Sequence, residues 1–373
     1  MKIAVLGAGM VGRAIAVDLA SGFEVTALDV SEHSLKLLKE KNSSIQTQKA
    51  DLTSFEQYAR WLSPFDIVVT AVPGSMGFAV LKTVINCGKN VADISFFPED
   101  VLQLDQAAKE KNVTVITDIG VAPGMSNLIL GRYNEQFTVT NFECYVGGLP
   151  RTRKKPFEYK APFSPADVIE EYTRPARLKE NGQIVVKPAL TEREYINFDE
   201  VGTLEAFNTD GLRSLLFTMP HIQNMKEKTL RYPGHVELII ALKDAGFFDE
   251  EEIDVSGTKI SPLKFSSKIL FRNWKLDPEE DELTVMKVIV EGHKNDSSQR
   301  IEYNLLDRYD AGSKTSSMSR TTGYACTAAV HLIAKKLFTE KGVFPPEFVG
   351  RHVACFDFVM DYLKQRGVNW SRE

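Results

Sequence analysis

The chain holds only four cysteines in 373 residues, Cys87, Cys144, Cys326 and Cys355. They lie far apart with no C-x-x-C pair, which excludes a thioredoxin-type motif and a zinc ribbon; they read as reduced core thiols of a reducing compartment. Six histidines, at 33, 221, 235, 293, 331 and 352, form no H-x-x-x-H pair, so no metal site is expected. No apolar run approaches the roughly 20 residues that span a bilayer. After Met1-Lys2 the chain enters IAVLGAG without a separate apolar leader stretch, so a cytoplasmic protein without a membrane partner is expected. A basic excess is missing too: 45 Lys+Arg against 50 Asp+Glu leave a net charge of −5, which argues against a nucleic-acid partner. There is no G-x-S-x-G elbow for a serine nucleophile, and the acidic run Asp249–Glu252 lacks EF-hand spacing. At roughly 100–200 residues per domain, the length suggests two domains with substantial cores.

What is present starts with a strand-like run, Lys2–Leu6, followed by Gly7-Ala8-Gly9-Met10-Val11-Gly12 and a helical pattern through Ala20. Strand, glycine-rich turn and helix in that order give G-x-G-x-x-G its required context. Gly7 allows the tight turn, Gly9 lets the backbone approach a pyrophosphate, and Gly12 lets helix and strand pack closely. The pyrophosphate then meets the unpaired N–H groups of the helix N-terminus. A second strand, Glu24–Leu28, ends at Asp29, about 20 residues past the first glycines, where a carboxylate meets the adenosine ribose hydroxyls. A carboxylate there repels a 2′-phosphate and no arginine occurs in Val30–His33, so NAD is favoured over NADP. Asp29 also reads as a plain turn residue, although Ser31 suits the helix cap better.

The alternation continues. Ile45–Lys49, Asp66–Thr70, Asn90–Ile94 and Val113–Asp118 read as strands, with helices over Phe55–Leu62, 76–87 and 99–110. This order predicts a Rossmann-type α/β fold with a doubly wound parallel sheet. Ligands bind such sheets outside the carboxyl ends of the strands. Asp51, Ala71, Val72, Pro73, Gly120 and Pro123 therefore join the candidate cofactor contacts, and Asp93 and Asp118 become candidate catalytic carboxylates. Each of the two also reads as a loop or cap carboxylate.

Beyond residue 140 the alternation is lost. Thr138–Val146, Gln183–Lys187, Glu194–Phe198, Leu283–Glu291 and Ile301–Asp307 read as strands, and 165–172, 211–218 and 235–245 as helices. Strands without βαβ order predict a second α+β domain on a largely antiparallel sheet. The domains expected are 1–130 for the cofactor and 131–319 for substrate and dimerisation. A helix over 320–338 and the segment 345–373 are expected to complete the first. The two long alternating strands near 283–307 suggest pairing across a homodimer.

The motifs GAGMVGRAIAVDLA, DIGVAPGMSN, CYVGGLP, FEYKAPFSP, TLRYPGH, MSRTTGYACTA and KGVFPPE resemble the saccharopine dehydrogenase-like family, from residue 3 to about 350. APGMSN, FNTDGLRSL and RTTGYACTA look most like the L-lysine 6-dehydrogenases within it. Saccharopine reductases typically carry an acidic residue before the loop Pro-Gly; here that place is Ala122, so their catalytic arrangement does not transfer intact. The resemblance implies NAD-dependent oxidation of the lysine ε-amine, with release of ammonia and a semialdehyde that can cyclise.

That chemistry needs a proton acceptor for the amine and a clamp for the α-carboxylate and α-ammonium. His235 is the candidate base by its intrinsic pKa, with Arg231 and Tyr232 around the same Pro-Gly turn. Arg213 is a candidate carboxylate clamp and Asp210 a candidate ammonium ligand; Tyr159 and Lys160 match a family motif near the substrate. The bland alternatives are a capped helix at Asp210, a surface Arg213, a packed His235 and a solvated Lys160. The basic run Arg151–Lys155 reads as a solvated face. Rival functions are a saccharopine or carboxynorspermidine dehydrogenase acting on a secondary amine, and a non-catalytic nicotinamide-binding sensor.

Overall fold

The computed structural model describes residues 1–163, 165–277 and 279–373, without the side chains of Pro165 and Ala166; Ser164 of the FEYKAPFSP motif lies outside it. The first unit runs β1 (Lys2–Leu6), α1 (Met10–Leu19), β2 (Glu24–Asp29), α2 (Glu32–Lys41), β3 (Gln46–Lys49), α3 (Tyr58–Leu62), β4 (Ile67–Thr70), α4 (Gly74–Asn86), β5 (Asn90–Asp93), α5 (Asp105–Glu110) and β6 (Thr114–Ile116). The rest runs α6 (Met125–Asn134), β7 (Thr138–Pro150), α7 (Pro165–Thr173), β8 (Ala176–Glu180), β9 (Gln183–Lys187), β10 (Glu194–Phe198), β11 (Gly202–Asn208), α8 (Leu215–Thr218) and β12 (Asn224–Arg231). It continues with α9 (His235–Asp244), β13 (Ile253–Val255), β14 (Thr258–Ile260), α10 (Pro262–Trp274), β15 (Glu282–Lys294), β16 (Ser297–Arg308), α11 (Ser317–Ala334), β17 (Gly342–Phe344), α12 (Pro346–Gly350), α13 (Val353–Gln365) and β18 (Trp370–Arg372).

Among the described residues, one sheet has the order β17-β6-β5-β4-β1-β2-β3 and is parallel throughout. Its central strands are apolar runs buried on both faces, as helix-covered parallel strands must be. The order reverses between β1 and β4, the switch point at which doubly wound sheets bind their ligands. The second sheet runs β10-β11-β12-β7-β15-β16-β18, with β8 and β9 attached through β12. It is antiparallel except for the pair β12–β7. The α/β class with a largely antiparallel second sheet is therefore the architecture observed.

The C-terminal helices return to the first sheet. Asp18 on α1 ties them down: Thr327 Oγ1 and Tyr362 Oη both donate to its Oδ2 at 2.6 Å, and Arg366 Nε to its Oδ1 at 2.7 Å. One apolar core is shared by α1, α6, α11, α13 and the inner face of β7 and β15.

Two expectations change. The helix over 211–218 shrinks to α8 because Arg213 has a φ of 52°, a left-handed conformation that no helix continues through. The strands near 283–307 find partners in their own chain: β15 lies between β7 and β16, and β18 covers Tyr303–Leu305 of β16. Both edges of β15 are thereby used, which leaves the outer edge of β16 over 297–301, unpaired with any strand among the described residues, as the place where a second copy would pair.

Candidate functional site

A cavity of about 640 Å³ opens between the two sheets. One wall consists of the loops after β1, β4, β5 and β6; the other comes from β7, β12, α7, the Thr209–Gly211 turn and the start of α11. At the first wall the glycine-rich loop is fixed sterically. Gly7 has a φ of +101°, and a Cβ there would sit 2.3 Å from the Ala71 carbonyl oxygen. A Cβ on Gly12 would sit 2.1 Å from the Gly7 oxygen, whereas one on Gly9 would meet nothing within 4 Å. Gly9 also precedes α1 with no side-chain cap, so the first N–H groups of that helix remain available to an anion. These features fit a dinucleotide pyrophosphate.

Asp29 lines the cavity while holding the loop: its Oδ2 accepts from the Ala8 N–H at 2.6 Å and its Oδ1 from the Ser31 N–H at 2.7 Å. Its turn role and its cavity position therefore coexist. Asp51 lines the same end, held below the usual carboxylate range by the hydroxyl and N–H of Thr53. Met10, Val11, Ala71, Val72, Pro73, Gly120 and Pro123 line it too, whereas Ala8 contributes only its N–H to Asp29. An arginine does accompany Asp29, from α1: Arg13 donates to the Ala8 oxygen at 2.9 Å, and burial lowers its pKa against the pull of Asp29. The sequence reading looked for such a cation only in Val30–His33.

The far wall is crowded with charge. Residues Glu227, Thr229 and Arg231 alternate along β12 and all face the cavity. Arg231 is 2% exposed, and each of its nitrogens is engaged: Nε to Tyr172 Oη at 3.1 Å, Nη1 to the Leu230 oxygen at 3.0 Å, and Nη2 to Glu171 at 2.7 Å and Tyr159 Oη at 3.3 Å. Burial opposes its charge, but the phenols of Tyr159 and Tyr172 and the Glu171 carboxylate outweigh it and hold the pKa raised. A guanidinium has five N–H groups, so one stays free for a ligand. Asp118 pairs bidentately with Arg213, at 3.1 and 3.3 Å. Asp210 is forked to Arg177 at 2.9 and 2.8 Å, which leaves it little capacity to hold an ammonium.

Several sequence candidates stand behind the wall rather than on it. His235 is buried, and burial drives its pKa down to about 3. With Nδ1–H donating to the Phe157 oxygen, its Nε2 accepts from Tyr172 Oη, both at 2.9 Å. The ring thus ends a chain running to Arg231, and its lone pair is spent, so it does not serve as the cavity's base. Tyr159 supports the Arg231 guanidinium from 4.3 Å below its ring. Arg213 lies over Phe96 and Phe97 and spends its fork on Asp118 instead of a substrate carboxylate. Lys160 donates to the Lys275 oxygen at 2.9 Å and pairs with Glu280; Tyr232 donates to the Pro150 oxygen at 3.0 Å. Asp93 is fully buried beneath the cavity, held by Thr70 Oγ1 at 2.5 Å and the Ser95 N–H at 3.1 Å, and burial raises its pKa to about 7. The basic run is exposed, with Arg151 paired to Asp281 and Arg153 to Glu158. Glu227 was missed altogether. Its signal was the alternation Glu227-x-Thr229-x-Arg231 in a segment given no element in the sequence.

Two family models match almost the whole chain: the saccharopine dehydrogenase NADP binding domain over residues 3–116 and the saccharopine dehydrogenase C-terminal domain over 120–368. The chain is 26% identical over 279 residues to the alpha-aminoadipic semialdehyde synthase of Arabidopsis thaliana, a match covering 69% of this chain and 26% of that protein. It is 27% identical over 267 residues to the NADP(+), L-glutamate-forming saccharopine dehydrogenase of Pyricularia oryzae, covering 67% and 59%. It thus spans less than two thirds of either relative. Carboxyaminopropylagmatine dehydrogenase of Synechocystis is 18% identical, with 93% and 92% covered. The solved structure of the L-Glu-forming saccharopine dehydrogenase of Saccharomyces cerevisiae shares the fold, with a TM-score of 0.81 at 18% identity over 100% and 99% of the chains.

Proposed function

The chain belongs to the saccharopine dehydrogenase family, and on that premise we propose that it is a nicotinamide-dependent oxidoreductase that oxidises the ε-amine of L-lysine with NAD to the 6-semialdehyde, releasing ammonia. The observation that carries this reading is one continuous cavity with a dinucleotide-shaped loop at one end and buried ionisable side chains at the other. When bound, the nicotinamide accepts a hydride from the amine-bearing carbon. Gly7, Gly9 and Gly12 hold the pyrophosphate, and Asp29 holds the adenosine ribose. Arg231, with its one free N–H, binds the α-carboxylate; the carboxylate-rich remainder of the wall suits the ammonium groups. Holding the α-end in this way presents the distal carbon, rather than the α-carbon, to the ring. Water enters after oxidation to release ammonia.

A second reading is oxidation of a secondary amine that bears a further carboxylate, and Arg174, a second arginine on the cavity wall, favours it. Initial rates of NADH or NADPH formation with lysine, saccharopine and carboxyaminopropylagmatine separate the two. Lysine with NAD should give the highest kcat/KM. Turnover of saccharopine but not lysine would move the assignment to the second reading.

A further inference from the structure

One carboxyl on the cavity wall stands apart from its neighbours. Asp118, Asp210, Glu170 and Glu171 each pair with an arginine. Glu227 is 6% exposed and forms no ion pair with a lysine or arginine among the described residues. It is built in nevertheless. Thr209 Oγ1 donates to its Oε2 at 2.6 Å, and Thr229 Oγ1 lies 2.9 Å from the same Thr209 hydroxyl. The Gly211 N–H donates to the carboxyl as well, and a Cβ on Gly211 would sit 2.3 Å from Oε2, so the turn is moulded around the side chain. Burial, reinforced by the charges of Glu171 and Asp210, pushes its pKa up to about 8, against the Thr209 and Gly211 hydrogen bonds. A buried carboxyl without a cation, facing a cavity, has the proton affinity that a group exchanging protons with a ligand needs.

Given the amine-oxidising reading above, we propose that Glu227 takes the proton from the substrate ammonium and later returns it to the departing nitrogen. In the first step an N–H bond breaks and an O–H bond forms on Glu227, freeing the nitrogen lone pair. That pair forms the C=N bond as the C–H electron pair leaves with its hydrogen for the bound nicotinamide. Water then adds to the carbon and loses one proton, the net proton of the reaction. The Glu227 proton passes to the carbinolamine nitrogen, the C–N bond breaks to release ammonia as the oxygen lone pair forms C=O, and the hydroxyl proton moves from that oxygen to the ammonia, so that ammonium and aldehyde separate. Thr209 and Thr229 position the carboxyl and take no part in the bond changes.

Glu227→Gln tests this, because the amide keeps the shape and still accepts from Thr209. The expected result is a fall in kcat of about 10²–10⁴-fold, with NADH affinity by fluorescence titration unchanged within about twofold. The wild-type rise of kcat/KM through pH about 8 should vanish in Glu227→Gln and persist, at lower rate, in Glu227→Asp. On the protein alone, the wild-type-minus-Glu227→Gln infrared difference spectrum should show one protonated-carboxyl band that titrates away near the same pH, the bands of Asp93 and Glu282 being common to both proteins and cancelling. A Glu227→Gln protein that keeps kcat and its pH profile, beside a wild type that oxidises lysine, overturns the proposal and leaves the amine reading standing. A wild type that binds NADH but oxidises no amine overturns the reading and the proposal with it, whatever the infrared titration shows.

Discussion

Replacing Arg213 by Met should destabilise the protein by about 3–5 kcal/mol, the cost of stranding the partner of a buried ion pair. The Arg213 and Asp118 side chains are only 4% and 3% exposed, with the closest nitrogen and oxygen 3.1 Å apart. At an effective dielectric of about 20, two unit charges at that distance attract by roughly 5 kcal/mol. Stacking of Arg213 on Phe96 and Phe97, at 4.9 and 5.3 Å, adds on the order of 1 kcal/mol. Both residues also hold left-handed backbone conformations, with φ of 52° and 50°, each costing about 1–2 kcal/mol that the pair must offset. Urea unfolding of wild type, Arg213→Met, Asp118→Asn and the double variant, without dinucleotide, forms a complete cycle. The double variant should lose less than the sum of the singles, with a coupling of about 2 kcal/mol or more. Additive losses, or a loss below about 1 kcal/mol for Arg213→Met, would refute the claim that Arg213 serves Asp118 rather than a substrate.

Asp29→Ser should lower the NAD-over-NADP ratio of kcat/KM by about tenfold, equivalent to about 1.4 kcal/mol; an unchanged ratio would remove Asp29 from cofactor selection. Tyr172→Phe strands Arg231 Nε and His235 Nε2, so substrate KM should rise about tenfold with kcat little changed, as steady-state kinetics would show. Glu282, buried at the start of α11 where the Ser317 and Met318 N–H groups meet it, has its pKa raised by burial to about 8. Folding therefore favours its protonated form, and that stability is complete below the ordinary value of 4.5 and lost as pH rises through about 8. Glu282→Gln should match wild type at low pH and exceed it by on the order of 5 kcal/mol above pH 8, measured by urea unfolding across pH; parallel curves would contradict the cause assigned.

The first sheet was legible because its signals are local. Buried parallel strands such as Ile67–Thr70 are continuous apolar runs, and the glycine motif sits between two of them. The charged strands were not legible. β8 (ARLKE), β11 (GTLEAFN) and β12 (NMKEKTLR) are not among the strands the sequence suggests, yet Lys179, Glu205, Glu227, Lys228 and Arg231 on them are buried. Glu205 and Lys228 are matched by Arg193 and Glu194, Lys179 donates to the Pro220 oxygen, and Glu227 and Arg231 turn into the cavity; the alternation along β12 shows which residues share a face but not what they meet. The same holds for FNTDGLRSL. Its Asp and Arg looked like a substrate clamp, but Arg177 takes the first from 33 residues away and Asp118 the second from 95. His235 suggested a base through its intrinsic pKa, a value that burial beside Arg231 overrides.

The central claim is that the carbon bearing the distal amine gives up a hydride to a dinucleotide held by Gly7–Gly12. It is tested most directly by incubating the protein with NAD and lysine carrying deuterium only at C6, then weighing the reduced nicotinamide by mass spectrometry. One deuterium per nicotinamide, formed together with free ammonia, is the result predicted. Reduced nicotinamide without deuterium, or no reduction at all in a protein that binds NADH, would contradict it.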